Sequence, residues 1–424
     1  MNNKYKVNKK IIVLTIIILT IISLSIYVYR RSWYLDDIMK KSNFNKVYNI
    51  DDKGIEMAIK SGFIQNVGKF QEKDKLEFIV DNIIVDKKRI VVFYTIKNKG
   101  DHKYIKNLDY ELYNEKGEKI GEYSSGSKYY DDINLNKVKR IHDSFQLIFS
   151  EEIKIPSQIN MDIKVEESKY NKQQYDRLDN QDNSKNSKDS YSYSFNIPID
   201  KERFDLKEIS YDINENIDIK GQKIFIDNLT VYPTTSILNI KYDKENTMKI
   251  FRIEDLKLVD SSEEYTNGID GVISYSKDED TQSLYFKSNY FKNDKELYIK
   301  GSGINAIEKD KVNVVVDIKN KKLLKAPDSK LKLKEISDEK DSFMREKNSY
   351  VLEFEYDKDI SFSFEFKDEK GNSFHADSVA NSENENYKEI YYMIPKNIEY
   401  ESPIILKINN YPNSINRTFK VKVK

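Results

Sequence analysis

Two seven-residue stretches, IVDNIIV at 79–85 and FIDNLTV at 225–231, carry the same Asp-Asn step inside alternating aliphatic positions and stand 146 residues apart. Without a gap, Val92, Tyr94 and Ile96 then fall on Leu238, Ile240 and Tyr242. Side chains on a strand alternate between faces with period two, so keeping the alternation through both segments keeps the same face buried. The pattern predicts one strand pair built twice. A fainter third copy follows at an offset of 114, where Leu352, Phe354 and Tyr356-Asp357-Lys358 match Leu238, Ile240 and Tyr242-Asp243-Lys244.

Working outward, each copy continues in the same order. A hairpin arm comes first (LDYELYNEKGEKI from 108, EDLKLVDSSEEY from 254, SFSFEFKDEKGNSF from 361), then an aromatic strand (145–149, 284–286, 390–394) and a further strand (159–165, 297–300, 404–408). A closing strand ends each copy: SYSFNIPI at 192, KVNVVVDI at 311, RTFKVKV at 417. Six or seven short strands in roughly 100 residues have the size of an immunoglobulin-like sandwich. The expected fold is all-β, with tandem immunoglobulin-like β-sandwiches after an N-terminal transmembrane helix. The domains are a cytoplasmic tail (1–10), the membrane helix (11–29), a juxtamembrane linker (30–52) and three sandwiches (53–203, 204–325, 326–424). A short helix opens the first sandwich, since residues 53–67 place Ile55, Ala58, Ile59 and Phe63 on one side with Gly62 near the end. Gly and Pro are sparse, 13 and 7 in 424 residues, so most turns must rest on Asn and Asp. NEKG at 114–117 and DEKG at 368–371 are the clearest turn signals.

The membrane helix is read from IIVLTIIILTIISLSIYVY at 11–29, nineteen consecutive uncharged residues, enough at ~1.5 Å each to cover nearly the ~30 Å hydrocarbon layer. Lys4, Lys6, Lys9 and Lys10 precede it, and Trp33 and Tyr34 suit the headgroup zone beyond Arg30 and Arg31. The stretch exceeds the apolar region of a cleaved signal peptide, and Ser23 and Ser25 lie inside it, so it reads as an uncleaved signal anchor. The lipid bilayer is then a partner through residues 11–29, the N-terminus is cytoplasmic, and the bulk of the chain is extracytoplasmic.

Charge and composition narrow the chemistry. Lys+Arg and Asp+Glu are equal at 71 each, which leaves no basic field to gather nucleic acid. Residues 1–31 hold six of the basic residues and no acid, so the remainder carries 65 basic against 71 acidic residues, a net charge of −6. There is no Cys, which removes disulfide frameworks and thiol chemistry. The three histidines, His102, His142 and His375, show no metal-ligand spacing and read as surface or strand-edge residues. Ser-x-x-Lys at Ser274, Ser329 and Ser337 lacks its companion signatures, and Gly301-Ser302-Gly303 reads as a turn. Asp278-Glu279-Asp280 lacks the ordered spacing of a calcium loop, and Asn228 and Asn416 are formal glycosylation acceptors. Residues 166–190 are polar and read as an insertion between two strands of the first sandwich. No enzyme and no cofactor is expected.

Long polar segments follow the hairpin arm in all three copies: EYSSGSKYYDDINLN from 122, SSEEYTNGIDGVISYS from 261 and HADSVANSENENYK from 375. Tyr beside Ser, Gly and Asn is the mixture that binding loops use, rigid contact area beside adaptable hydrogen bonding. Tyr123, Tyr129, Tyr130 and Tyr265 are the candidate partner-binding residues, with an envelope or membrane protein as the expected partner.

The stretch GIEMAIKSGFIQNVGKFQEKDKLEFIVDNIIVDKKRIVVFYTIKNK at 54–99 resembles a family of single-pass Firmicute-type bacterial membrane proteins with an extracytoplasmic immunoglobulin-like domain. Members are often encoded beside extracytoplasmic-function sigma factors and described as anti-sigma-like. The helix AIKSGFIQ and the strand pair VDNIIVDKKRIVVFYTI carry the resemblance, and residues 221 to about 323 look like the companion domain that often follows. It implies a regulatory, non-enzymatic ectodomain and no catalytic residues. A typical anti-sigma arrangement needs a helical segment inside the cell, whereas ten residues precede the span here, so direct sigma-factor contact is not expected. A cell-surface adhesion or structural stalk is the alternative.

Overall fold

Runs of Ile, Val, Phe and Tyr alternating with Lys, Asp and Glu suit a pleated surface with one face dry, and the chain is all-β. The computed structural model describes residues 44–48, 50–121, 123–124, 128–130, 133–135, 137–168, 190–292, 295–338, 349–358, 360–383 and 388–424. The expected membrane span at 11–29 lies outside them. Among the described residues no helix is long and apolar enough to cross a membrane.

The first sandwich contains β1 (Gln65–Lys73), β2 (Leu76–Val85), β3 (Arg89–Asn98), β4 (Tyr104–Tyr113), β5 (Tyr123–Ser124), β6 (Lys128–Tyr129), β7 (Arg140–Phe149), β8 (Gln158–Ser168) and β9 (Ser190–Pro198). One sheet runs β1-β2-β3-β7-β5 and the other β6-β4-β8-β9, with one apolar core between them. β9 pairs along its whole length with β8, from Gln158↔Pro198 to Glu166↔Ser190, so the polar insertion does separate neighbouring strands of one sheet. β2 is buried at every position, because the helix Lys53–Lys60 and the segment around Phe44 and Tyr48 belong to the same core and Tyr48 packs edge-on against Phe93. Asp52 caps that helix by accepting from the N–H groups of Gly54 and Ile55 at 2.8 and 3.2 Å.

The second unit repeats this plan with β10 (Ile209–Ile219), β11 (Gln222–Val231), β12 (Thr235–Tyr242), β13 (Met248–Glu254), β14 (Lys257–Asp260), β15 (Glu264–Thr266), β16 (Ser274–Ser276), β17 (Thr281–Lys287) and β18 (Leu297–Glu308). Its first sheet runs β10-β11-β12-β17-β16, matching the first unit strand for strand. The repeated Asp-Asn step is a repeated β-bulge: register slips between Val80 and Asn82 in β2 and between Ile226 and Asn228 in β11. The second sheet runs β13-β18-β14-β15.

The third unit holds β19 (Asn313–Asp317), β20 (Lys322–Lys325), β21 (Lys332–Asp338), β22 (Ser349–Tyr356), β23 (Ser361–Lys367), β24 (Ser373–His375), β25 (Ser378–Glu383), β26 (Lys388–Pro395) and β27 (Ile404–Asn410), in sheets β21-β22-β26-β25 and β20-β19-β27-β23-β24. The last strand, β28 (Ser414–Lys422), does not stay with it. It crosses back and pairs with β18 of the second unit from Tyr298↔Lys422 to Asn305↔Ser414.

The closing strands therefore change places relative to the sequence-based expectation. β19, expected to close the second sandwich, pairs with β27 in the third, and β28, expected to close the third, completes the second. Alternation fixes which face of a strand is dry and leaves its partner sheet open. Gly301-Ser302-Gly303 is likewise no turn but the interior of β18. A Cβ on Gly301 would stand 2.6 Å from the Phe419 ring, and one on Gly303 would meet the Ile415 carbonyl oxygen, so both glycines are seats for β28.

Candidate functional site

The turns joining β2 to β3 and β11 to β12 occupy corresponding positions in the two copies, and they dock against each other. Asp86 accepts from the backbone N–H and hydroxyl of Thr234 with one oxygen, at 2.8 and 2.5 Å, and from the N–H groups of Lys88 and Arg89 with the other. Burial pushes the Asp86 carboxyl above its usual range against the pull of these donors. Arg89, 2% exposed, donates to Asp52 at 2.8 Å, to Gln146 at 2.7 Å and to the Thr234 carbonyl at 3.1 Å. The Asp52 carboxylate that caps the helix thus also holds the guanidinium. A small apolar cluster of Ile148, Tyr232, Ile237, Ile269 and Tyr285 seals the junction, and the Tyr285 hydroxyl donates to the Phe149 carbonyl at 3.0 Å.

Beside this junction opens a cleft of about 710 Å³, within the usual range for small-ligand sites. Asp52, Arg89, Lys128, Asp143 and Gln146 line one wall, and residues 266–268 and 270–273 with Lys287 line the other. Lys128 pairs with Asp143 and donates to the Ser144 carbonyl at 2.8 Å. The opposite wall is a tight hairpin in which Ile269 and Val272 exchange backbone bonds at 2.9 and 2.8 Å around Asp270-Gly271. Both central residues have positive φ, 45° and 83°, the mirror-image geometry that an Asp-Gly pair accepts. The hairpin leaves Ile273 57% exposed at the cleft.

Two of the three polar segments singled out in the sequence meet here, the first through Lys128 and the second through Thr266 to Ile273; the third, from 375, belongs to the third unit. The tyrosines themselves go elsewhere. Tyr265 is 1% exposed, donating to Asp260 at 3.0 Å and Glu263 at 3.2 Å beneath the ammonium of Lys292. Burial would raise the Asp260 carboxyl, but the N–H groups of Ser262 and Glu263, Lys292 and Tyr265 together hold it well below the usual carboxylate range. Tyr130 is buried with its hydroxyl against that of Tyr94, and burial pushes it far above a normal phenol. Tyr123 and Tyr129 pair through their backbones with Phe149 and Asn107; their side chains lie outside the described structure. The buried pair is a correction to the reading of these tyrosines as presented side chains: Asp260 and Glu263 fold back to meet Tyr265, and Tyr130 turns inward to meet Tyr94.

Two of the three histidines, read as surface or strand-edge residues, are drawn inward. His102 is buried, bridging Glu167 at 3.0 Å and the Asp74 carbonyl at 2.7 Å, and these bonds raise its pKa although burial opposes them. His142 contacts Thr95 Oγ1 at 2.8 Å, and burial, with Arg140 nearby, lowers its pKa to about 4. His375 stays exposed. Asp278 caps its own turn through the N–H groups of Asp280 and Thr281, Glu279 pairs with Lys407 of the third unit at 3.2 Å, and no cluster fit for a metal occurs among the described residues.

A family described as being of unknown function, DUF5643, matches residues 208–336, which run from the start of the second unit into β21. No curated protein matches the chain. Among solved structures, one described as the crystal structure of the conserved domain protein from Bacillus anthracis is 12% identical, with 62% of this chain and 84% of that one covered at a TM-score of 0.38.

Proposed function

We propose that the chain is a membrane-anchored, non-enzymatic ectodomain of tandem immunoglobulin-like sandwiches that senses or binds a partner at the bacterial cell envelope, with residues 11–29 as anchor. The observation that carries this reading is the cleft between the first two sandwiches: a preformed concavity with an exposed apolar tip, Ile273, among fixed charges. Its charged side chains are tied to one another, as Arg89 is to Asp52 and Lys128 to Asp143, which suits recognition rather than proton transfer. The sequence resemblance to anti-sigma-like proteins supports regulation as the output.

A photo-crosslinking residue placed at 273 in living cells tests this. It should give a discrete adduct that is absent when the same residue replaces Phe364, which is exposed on the third sandwich. Equal adducts at both sites, or none, would favour the second reading, a structural stalk, for which the docked turns and the exchanged strands speak.

A further inference from the structure

The strand that completes the second sandwich enters it from outside. β18 runs from the second core, where Ala306 is buried, directly into the third, where Ile307 is buried. Only residues 309–312 separate β18 from β19, in the third sandwich. The return is as abrupt: Tyr411 belongs to the third core and donates its hydroxyl to Asp328, while Asn413 already bonds Ala306 through its backbone carbonyl at 3.1 Å and its amide at 2.7 Å.

β28 is also the more lightly held of the two closing strands. β9 buries Tyr193, Phe195 and Ile197 in the first core, whereas no side chain of β28 is fully buried; Ile415, Phe419 and Val421 only pack against the second core. On its far side β28 reaches β10 through long side chains, Arg417 to Asp218 at 3.4 Å and the Lys424 ammonium 5.6 Å from the Tyr211 ring. The acceptor edge, in contrast, is shaped in advance by the missing side chains of Gly301 and Gly303.

We propose that the β18 edge is a strand-acceptor site whose occupant is exchangeable, and that a second copy of this chain fills it with its own residues 414–422. Every contact in the exchanged pair is one the single chain already makes, so exchange has to offset only the entropy of association and any strain at the hinge. The hinge Pro412-Asn413, just beyond the third-core residue Tyr411, lets β28 leave without unravelling the third core, because the strand's partner residues, 298–305, lie in the second.

The chain has no Cys, so introduced thiols report without background. Lys300 and Lys420 are cross-strand partners, half-buried and solvent-exposed at the surface of the sheet. The double variant Lys300→Cys/Lys420→Cys should form an intrachain disulfide, which confirms folding and register. When the single variants Lys300→Cys and Lys420→Cys are mixed at rising concentration and then oxidised, the mixed dimer should exceed the statistical share of random thiol pairing. It should also fall when wild-type chain is added as competitor. A mixed dimer at the statistical share, untouched by wild-type chain, would overturn the proposal, as would failure of the double variant to close its disulfide.

Discussion

Asp86 and Thr234 stand 148 positions apart in sequence and are joined by two hydrogen bonds to one carboxylate oxygen. They sit in corresponding turns of two copies of one fold, so the first two sandwiches meet through the same structural corner. Asp86→Ala leaves the Thr234 donors unpaired in a buried place, a loss of about 1–3 kcal/mol for such a group. We expect the variant to unfold in two separated urea transitions where the wild type shows these sandwiches unfolding together.

Arg89 is the second joint. Arg89→Met keeps apolar bulk but leaves the Asp52 carboxylate without its cation and the Thr234 carbonyl without its donor. Breaking a buried pair from one side costs about 3–5 kcal/mol. Hydrogen exchange should speed up in the helix Lys53–Lys60, whose cap is the same carboxylate, before it does in β22 of the third sandwich.

Gly303→Ala drives a methyl group against the Ile415 carbonyl oxygen. Overpacking of this kind costs about 1–3 kcal/mol, and the loss should fall on the second sandwich although the displaced strand follows the third. Removing residues 412–424 should likewise expose the amides of β18 and leave those of β26 protected.

The half-buried His142 and the buried His102 give opposite pH signatures. His142 has its folded pKa lowered to about 4, so its stabilising contribution is present above the unfolded value near 6.5 and is lost as pH falls from there towards 4. His102 has its folded pKa raised, so its contribution is present below about 6.5 and is lost as pH rises through the folded value. In urea midpoints, His142→Gln should differ from wild type more at pH 7.5 than at pH 4.5, and His102→Gln more at pH 5 than at pH 8.5.

Much of the fold was legible because the repeated Asp-Asn step is a local feature with a local cause: a bulge reverses the alternation, and both copies reverse it at the same place. NEKG and DEKG were legible for the same reason, each closing with a glycine at positive φ, 79° at Gly117 and 83° at Gly371. What escaped was long-range. KVNVVVDI and RTFKVKV alternate equally well, and nothing in either says which sandwich it will join. Arg89 sits in the run Asp86-Lys87-Lys88-Arg89, which looks like a solvated turn until the facing turn from the second copy covers it. Tyr265 follows two glutamates and looks exposed until Asp260 and Glu263 fold back to meet its hydroxyl.

The crossing of two strands between the second and third sandwiches also sets an order of events while the chain emerges from the ribosome. The first sandwich has all its strands once residue 198 is out. The third receives its first strand as β19, an inner strand of its sheet, and is complete at residue 410. The second, begun at residue 209, must wait with the β18 edge open until residues 414–422 arrive. The sandwich in the middle of the chain is therefore the last to finish. Throughout that interval the edge that waits is the one most exposed to a foreign strand, so a chaperone's protection would matter most there.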